Sequence, residues 1–169
     1  MEAHWYVAYV RSCQERTVAR QLASMGIEYY IPVRKELRQW SDRKVLKERL
    51  LMPGTVFVRC TETERRSLFG TVSYLTRFLT DRPTRDVVVV PDWQLLNFRR
   101  FIDGSEVPVE MRLSGEFEPG DKVRVISGPL TGTECCVTSI KSRTYLYVSL
   151  GILGSATAEI GANQIEKIQ

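Results

Sequence analysis

The chain has 169 residues, 43% of them hydrophobic, so it can bury one substantial core or two small ones. It has no run of about eighteen apolar residues and begins without the basic and apolar segments of a signal peptide, which predicts a cytoplasmic protein with no membrane-spanning helix. The four cysteines form no C-x-x-C pair, and a single histidine is present. We therefore expect reduced thiols, no metal and no cofactor.

The positive charge is concentrated in the first part of the chain. Residues 1–102 contain eighteen Lys and Arg against eleven Asp and Glu, whereas residues 118–169 contain five of each, and the whole chain has a net charge of +4. An acidic partner is expected to bind the first part, although a solvated, arginine-rich surface would give the same counts.

The N-terminal residues predict a strand followed by a helix. Trp5–Val10 is rich in aromatic and β-branched residues, as strands are. Ser12 and Glu15 have the spacing of a capping box, in which each side chain bonds a free backbone N–H at the start of a helix. Apolar residues then repeat at helical spacing until Gly26, which predicts the end of the helix.

Residues 34–49 form a highly charged segment without a helical stripe of apolar residues. Seven basic residues stand against three acidic ones, and this surplus of four equals the net charge of the chain. With Trp40-Ser41-Asp42 as its turn, the segment is predicted to be a protruding, hairpin-like arm. Either its basic side chains bind phosphates while Trp40 stacks on an unpaired base, or its acids neutralise its bases on a solvated hairpin.

The rest of residues 1–102 completes the pattern of an α+β domain. Thr55–Val58 predicts a strand, and Thr61 with Glu64 forms a second capping box that opens a short helix. Further strands are expected at 27–33, 74–79 and 85–90, and a last helix from residue 91. This order is typical of an antiparallel sheet with helices packed on it.

The remaining residues predict a linker and a second, smaller domain. Residues 103–117 are predicted to be the linker, because apolar periodicity lapses and Gly, Ser, Pro and acidic residues accumulate. Residues 118–169 contain five short strand candidates between glycines. A small five-stranded β-barrel is expected, because a flat sheet of such strands would leave open edges.

The sequence contains no motif for catalysis or nucleotide binding. Any Ser-His or Cys-His pair would need His4, which lies close to the N-terminus. Neither G-x-x-x-x-G-K-[ST] nor G-x-G-x-x-G occurs. We therefore predict that the protein is not an enzyme.

Two stretches resemble the NusG family of transcription elongation factors. The first begins with Trp5-Tyr6-Val7 and continues through the first helix and the basic arm to Leu51-Met52-Pro53-Gly54-x-Val56-Phe57-Val58. The second, Phe117-x-Pro119-Gly120-Asp121-x-Val123-x-Val125-x-x-Gly128-Pro129-Leu130-x-Gly132, is similar to a KOW motif. The resemblance covers nearly the whole chain and implies a NusG N-terminal-like domain followed by a KOW domain, which is an SH3-like barrel.

A narrower resemblance is to the UpxY branch of the family. It rests on Tyr9-Val10-Arg11-Ser12 and on Leu37-Arg38-Gln39-Trp40-Ser41-Asp42-Arg43-Lys44. Members of this branch are specialised paralogues that antiterminate long polysaccharide-synthesis operons.

The family resemblance implies that an apolar depression in the first domain binds the coiled-coil clamp helices of RNA polymerase. Thr55 departs from the family, in which many members carry an aromatic residue there, and Leu51 or Met52 would have to compensate. Phe57 is the expected aromatic anchor, and the alternative is that it belongs to the core. The residues assigned to the polymerase contact are Tyr9, Leu51, Met52, Pro53, Thr55 and Phe57.

Specialised members also read the exposed non-template DNA beside the clamp. Basic residues at matching positions would contact phosphates, and Gln14 would contact a base. Nascent leader RNA is an alternative that the sequence leaves open. The predicted nucleic-acid-binding residues are Arg11, Gln14, Arg16, Arg20, Arg38, Trp40, Arg43, Lys44, Lys47 and Arg77.

In the KOW domain, the resemblance implies a protein partner, which in the family is a small-subunit ribosomal protein or the termination factor Rho. Two glycines frame the turn of the motif, where they allow a positive φ. The candidate contact residues are Gly128, Leu130, Gly132 and Ile152.

The predicted function is a specialised antiterminator that binds RNA polymerase and suppresses pausing and termination in particular long operons, those of polysaccharide biosynthesis. One alternative is the housekeeping elongation factor of the same family, which lacks operon specificity. Another is a ribosomal-type KOW protein that binds RNA. That function requires a basic barrel, whereas residues 118–169 carry balanced charges.

Overall fold

A computed structural model describes residues 1–105, 108–112, 120–140 and 143–168. The chain folds as two compact units, Met1–Asp92 and Trp93–Gln169. Described strands pair antiparallel and are accompanied by three α-helices, which confirms the predicted α+β class. The elements of the first unit are β1 (His4–Val10), α1 (Glu15–Ser24), β2 (Glu28–Tyr30), β3 (Val33–Trp40), β4 (Arg43–Leu50), β5 (Thr55–Cys60), α2 (Glu62–Thr71), β6 (Leu75–Phe78) and β7 (Val89–Val90).

A five-stranded sheet forms the centre of the first unit. β1 pairs with β5, and β5 pairs with β2 on its other side. β6 and β7 pair with successive parts of the remaining edge of β1. β1 and β5 are therefore the inner strands, which explains why they are rich in β-branched and aromatic residues.

One face of this sheet is covered by α1 and α2. Side chains alternate across a strand, so every second residue of β1 and β5 points toward these helices. Together with apolar residues of the helices they form one buried cluster. Its members are Tyr6, Ala8, Val10, Val18, Leu22, Val56, Val58, Cys60, Leu68, Val72 and Phe78.

The two predicted capping boxes have different outcomes. The box at the start of α2 is confirmed, because the Thr61 side chain accepts a hydrogen bond from the Glu64 N–H and Glu64 accepts one from the Thr61 N–H. The prediction of a capping box at Ser12 and Glu15 is wrong. Helix α1 begins at Glu15, its N-cap residue Gln14 makes no side-chain capping bond, and the Glu15 carboxylate accepts a hydrogen bond from a distant backbone N–H instead.

The second unit contains one long helix and a six-stranded sheet. Its elements are α3 (Asp92–Gly104), which enters from the last residue of the first unit, β8 (Glu110–Arg112), β9 (Lys122–Val125), β10 (Glu134–Ile140), β11 (Arg143–Ser149), β12 (Ser155–Glu159) and β13 (Ile165–Lys167). The strand order is β13-β9-β10-β11-β12-β8. Closure of these strands into a five-stranded barrel stays a prediction, as do the domain boundaries at residues 102 and 118.

The segment predicted to be a linker contains regular structure. Helix α3 continues into it as far as Gly104, and β8 lies within it and pairs with β12. The pairing joins residues that are distant in sequence, so a local loss of apolar periodicity gave no sign of it. Residues 106–107 and 113–117 of the predicted linker lie outside the described residues, as does the Phe117-Pro119 start of the KOW motif.

Candidate functional site

The predicted arm is present as a two-stranded hairpin, β3–β4, called the arm below. Its strands pair over their full length from Val33 with Leu50 to Trp40 with Arg43, so only Ser41 and Asp42 form the turn. Neither strand belongs to the five-stranded sheet. The charged segment therefore forms the predicted hairpin. Most of its side chains are exposed, because no second layer covers it.

The pairing register divides the arm into two chemically different faces, because directly opposed residues of an antiparallel pair project to the same side. We call the first the basic face. It consists of Arg34, Glu36, Arg38, Trp40, Arg43, Val45, Lys47 and Arg49. We call the second the apolar face, which consists of Val33, Lys35, Leu37, Gln39, Lys44, Leu46, Glu48 and Leu50.

The charge of the arm belongs almost entirely to the basic face. Five basic residues against one acidic residue give the basic face +4, and two against one give the apolar face +1. Asp42 in the turn contributes −1, so the sum is +4, which equals the net charge of the whole chain. At the tip of the basic face, Trp40 stands opposite Arg43 and is 67% exposed.

Ion pairs neutralise the base of the arm and leave its outer half charged. Arg49 pairs with Glu36 at 3.0 Å on the basic face, and burial lowers the pKa of Arg34 beside them. Within the described ranges, Arg38, Arg43 and Lys47 take part in no ion pair. The positive potential of the basic face is therefore strongest toward the tip, around the exposed indole.

The apolar face adjoins α1. The Arg16 guanidinium forms an ion pair with Glu48, and a cleft of about 650 Å³ separates this part of the arm from the helix. The cleft is lined by Arg16, Ala19, Arg20, Tyr29, Tyr30, Ile31, Val33, Glu48 and Leu50. The structure thus brings two predicted phosphate-binding residues, Arg16 and Arg20, to the side of the arm that carries little charge.

The predicted polymerase contact is only partly at the surface. Pro53 is exposed, and Met52 and Tyr9 are half-buried. Leu51, Thr55 and Phe57 are buried, and Phe57 has no exposed surface and packs against the ring of Tyr30, with the ring centroids 5.9 Å apart. The assignment of these six residues to a partner stays a prediction, and those at its accessible edge are Tyr9, Met52 and Pro53.

Arg77, which is predicted to bind nucleic acid, contacts Tyr9, which is predicted to bind the polymerase. It lies directly opposite Tyr9 in the β1–β6 pair, with its guanidinium 4.5 Å from the centre of the tyrosine ring. A guanidinium at this distance is attracted by the face of the ring, so the contact fixes the side chain of each residue. Arg11, also exposed, follows at the end of β1, where its N–H donates to the Tyr74 carbonyl.

The predicted KOW contact residues occupy two turns of the second unit. Gly128 and Gly132 have φ values of +86° and +85°, so both adopt the left-handed conformation expected for glycine in this turn. Leu130 between them is buried, whereas Ile152 is exposed. Of these four predicted contact residues, Ile152 is the one with an apolar side chain at the surface.

Sequence reasoning missed Tyr29 and Glu48, which line the cleft beside α1. The sequence shows Glu48 only as one of the charges of the arm. Its contact with Arg16 depends on where α1 packs, which the local sequence does not indicate. The division of the arm into two faces did leave a signal, since Arg34, Glu36, Arg38 and Trp40 alternate with period two. A two-residue turn was needed to align this pattern with that of the other strand.

The described residues contain no cluster of three or more His, Cys, Asp or Glu side chains that could hold a metal ion. None of the helices in the described ranges has the length and apolarity needed to cross a membrane. The arginines, lysines and exposed tryptophan of the arm are groups that can bind anions and planar rings.

Comparison with known proteins identifies the class to which this fold and these motifs belong. A family model described as transcription termination factor nusG matches residues 3–99. The chain belongs to the NusG family of transcription termination and antitermination factors. Two relatives that carry the name transcription termination/antitermination protein NusG align with almost the whole chain: the Pseudomonas aeruginosa protein at 26% identity over 99% of this chain and 100% of its own, and the Pasteurella multocida protein at 29% over 96% and 94%.

A solved structure supports the same assignment. A structure of Thermotoga maritima NusG, solved to show the domain interaction in that protein, is similar to this chain with a TM-score of 0.52 and 25% identity. The match covers 100% of this chain and 99% of that one.

Proposed function

We propose that this chain is a non-enzymatic transcription antiterminator that binds RNA polymerase and nucleic acid together, and that it acts on particular operons. The observation that carries this proposal is the arm, whose basic face has a net charge of +4 and presents an exposed tryptophan at its tip. Membership of the NusG family supports transcription as the process. Polysaccharide-synthesis operons are the target suggested by the UpxY-like residues of the arm.

The polymerase contact is assigned to the accessible edge of the predicted site, Met52 and Pro53 in the turn before β5, with Tyr9 beside them. An exposed proline beside half-buried apolar and aromatic side chains suits a helical partner, because rigid apolar groups lose little entropy on binding. Phe57 would join the contact only after it became accessible. The KOW domain is assigned a protein partner, a small-subunit ribosomal protein or Rho.

The contact can be tested with a matched pair of exposed prolines. We expect Pro53→Asp to weaken capture of RNA polymerase by the immobilised full-length chain, because it places a charge in an apolar contact. Pro83→Asp makes the same change at another exposed turn of the first unit and should leave capture unchanged. Equal capture by the two variants would exclude residue 53 from the contact.

The function itself is tested by transcription in vitro through a terminator. Purified RNA polymerase is supplied with the full-length chain on two templates, one carrying the leader of a long biosynthetic operon and the other the same leader in scrambled order. Increased read-through on the native leader alone is the expected result. Equal increases on both templates would identify the housekeeping type of factor, and no increase on either would refute the proposal.

A further inference from the structure

Nucleic-acid-binding residues predicted from the sequence lie on both faces of the arm. Arg38, Trp40, Arg43 and Lys47 project from the basic face, whereas Lys44 projects from the apolar face. These residues are close in sequence and similar in charge, so the chain alone gives no reason to separate them. The pairing register separates them by placing neighbours on opposite sides of a two-stranded ribbon.

From this separation we infer that the basic face alone is a binding track for a single strand of nucleic acid, with one unpaired base stacked on Trp40. The inference rests on the proposed function and specifies its ligand. Arg38, Arg43 and Lys47 hold the phosphates of the strand, and Lys35 and Lys44 on the other face do not contribute.

The charges of the arm support this assignment. Glu36 is the single acidic residue of the basic face, and Arg49 neutralises it at the base of the arm. Of the other three cations, Lys47 stands directly opposite Glu36, whereas Arg38 and Arg43 lie nearer the tip. None of the three forms an ion pair with a described residue, so they are available to an anionic ligand without breaking an ion pair of the folded chain. An ordered row of such cations is what a phosphate backbone binds, and each contact releases a counterion.

The tip of the arm favours a single strand over a duplex. The Trp40 indole is 67% exposed and stands opposite Arg43, so a planar group placed on the ring would lie beside a cation. Bases within a duplex are already stacked and paired, whereas an unpaired base has a free face for an aromatic ring. A tryptophan that is exposed at the end of a cationic track is typical of proteins that bind single strands.

The apolar face has a different character. Leu37 and Leu46 oppose each other at its centre and are 69% and 58% exposed. Toward the base of the arm, Glu48 is held in an ion pair with Arg16. Exposed leucines between scattered charges offer no continuous track for phosphates, so this face is not expected to follow a polynucleotide backbone.

The test compares neighbouring lysine and arginine residues that differ only in the face they occupy. Binding of the full-length chain to fluorescein-labelled 20-nucleotide single strands, of DNA and of RNA, is measured by anisotropy at several salt concentrations. We expect Arg43→Glu and Lys47→Glu to lower the slope of log affinity against log salt by about 0.7 per lost phosphate contact. Lys44→Glu and Lys35→Glu change the net charge equally and should leave the slope unchanged.

The stacking is tested with a matched pair of exposed indoles. Trp40 and Trp93 are 67% and 69% exposed. We expect Trp40→Ala to weaken single-strand binding by between about fivefold and a hundredfold without changing the salt slope, because stacking involves no counterion. Trp93→Ala should have no effect. Comparison of the DNA and RNA strands then tells which backbone the track prefers.

Several outcomes would overturn the inference. Equal effects of Arg43→Glu and Lys44→Glu would mean that the net charge of the arm, rather than one face, governs binding. Binding of a 20-base-pair duplex as tightly as the single strand, with Trp40→Ala unaffected, would exclude an unpaired ligand. If charge reversal unfolds the arm, Arg43→Gln and Lys44→Gln provide the same comparison with a smaller perturbation.

Failure of this inference can be told apart from failure of the proposed function. If the wild-type chain promotes read-through but the two faces behave alike, the track is wrong and the function stands. If the track binds single strands as expected but the chain leaves read-through unchanged on the native leader, the function is wrong and the binding site stands.

Discussion

The Glu15 carboxylate accepts a hydrogen bond of 2.6 Å from the backbone N–H of Gly54. Glu15 is the first residue of α1 and is buried, whereas Gly54 lies 39 residues later in the turn that leads into β5. The bond therefore ties helix α1, which adjoins the apolar face of the arm, to the turn that carries Met52 and Pro53. The turn to which the polymerase contact is assigned is thus fixed to the helix beside the arm.

Loss of this bond is expected to destabilise the first unit. In Glu15→Ala, the half-buried Gly54 N–H loses its side-chain acceptor, which costs about 1–3 kcal/mol. The midpoint of urea unfolding should fall accordingly, and the Gly54 amide should exchange faster with deuterium. Glu15→Gln keeps a side-chain oxygen and should lose less. Glu2→Ala, at an exposed glutamate, serves as the control, and equal stability of the Glu15 and Glu2 variants would contradict the structural role.

The conformation of Gly54 gives a second prediction for the same turn. Its φ is +74°, and a Cβ at this position would lie 3.4 Å from the Val10 carbonyl oxygen. Gly26, with φ of +70°, has no atom within 4 Å of such a Cβ. Alanine should cost about 1–2 kcal/mol at either site because of the left-handed backbone.

The comparison of these two glycine variants tests whether the backbone conformation alone sets the cost. A separation of 3.4 Å from the Val10 carbonyl oxygen is an ordinary van der Waals contact, so we expect Gly54→Ala and Gly26→Ala to lower the midpoint of urea unfolding by similar amounts. A clearly larger loss for Gly54→Ala would show that a side chain in this turn disturbs its contact with β1.

The contrast between the two helix starts shows which features were predictable from the sequence. The capping box of α2 consists of hydrogen bonds between residues three apart, so the spacing of Thr61 and Glu64 was sufficient to predict it. The same spacing at Ser12 and Glu15 was misleading, because Glu15 bonds Gly54. A bond between residues so far apart depends on how α1 packs beside β5, which local spacing does not encode.

The arm and the second unit extend this argument. Charge alternation and a turn signal predicted the arm, because both are local properties of residues 34–49. The division into faces needed the register, and register is set by the length of the turn. Strand β8 was missed because the strand with which it pairs in the described part of the chain is β12, more than forty residues later. The burial of Phe57 could not be predicted from its spacing in the sequence either, because an apolar residue in an inner strand can belong to the core or to a binding pocket.

The stability of the first unit should decrease at acid pH through Glu62. Hydrogen bonds from Arg65 and Arg66 hold the pKa of the Glu62 carboxyl at about 2, below its ordinary value of 4.5. Because the pKa is lower in the folded chain, the stabilisation is present above pH 4.5 and is lost as the pH falls toward 2. Arg65 would then lose its carboxylate partner while it remains against the rings of Tyr6 and Phe78.

Urea unfolding of wild type and Glu62→Gln at several pH values between about 7 and about 3 measures this effect. The variant lacks the titrating group, so its midpoint should fall less steeply with decreasing pH than that of the wild type. Glu2→Gln, which removes an exposed carboxylate, should keep the wild-type slope. Parallel curves for Glu62→Gln and wild type would show that this carboxylate does not contribute to acid sensitivity.

The cysteines should differ in their reaction with thiol reagents. Burial raises the pKa of Cys60 to about 11 and that of Cys135 to about 12, whereas Cys13 is exposed. The thiolate is the reactive form, so at about pH 8 the native chain should be labelled by iodoacetamide at Cys13 well before Cys60 and Cys135. Mass spectrometry of proteolytic fragments identifies the sites. After unfolding in urea, all three should react at similar rates, and early labelling of Cys60 in the native chain would contradict its burial.

The end of α3 packs closely against the turn that contains Leu130. A Cβ on Gly104 would lie 3.1 Å from Leu130 Cδ2 and 3.1 Å from the Pro129 carbonyl oxygen. Gly70 also lies in a helix, but a Cβ there meets no atom within 4 Å. Alanine favours a helix over glycine by up to about 1 kcal/mol, so Gly70→Ala should stabilise the chain. Gly104→Ala should lose that gain, because the Pro129 backbone cannot yield as a flexible side chain would.

Hydrogen exchange distinguishes the local effect of Gly104→Ala from a global one. We expect faster exchange at the Gly132 and Thr133 amides, which bond to Val125 and Leu130 and close the turn beside Gly104. The amides of the β1–β5 pair should exchange as in the wild type. If Gly104→Ala instead stabilises the chain as much as Gly70→Ala does, the contact between α3 and the Leu130 turn is not maintained in solution, and Leu130 is then open to the protein partner assigned to the KOW domain.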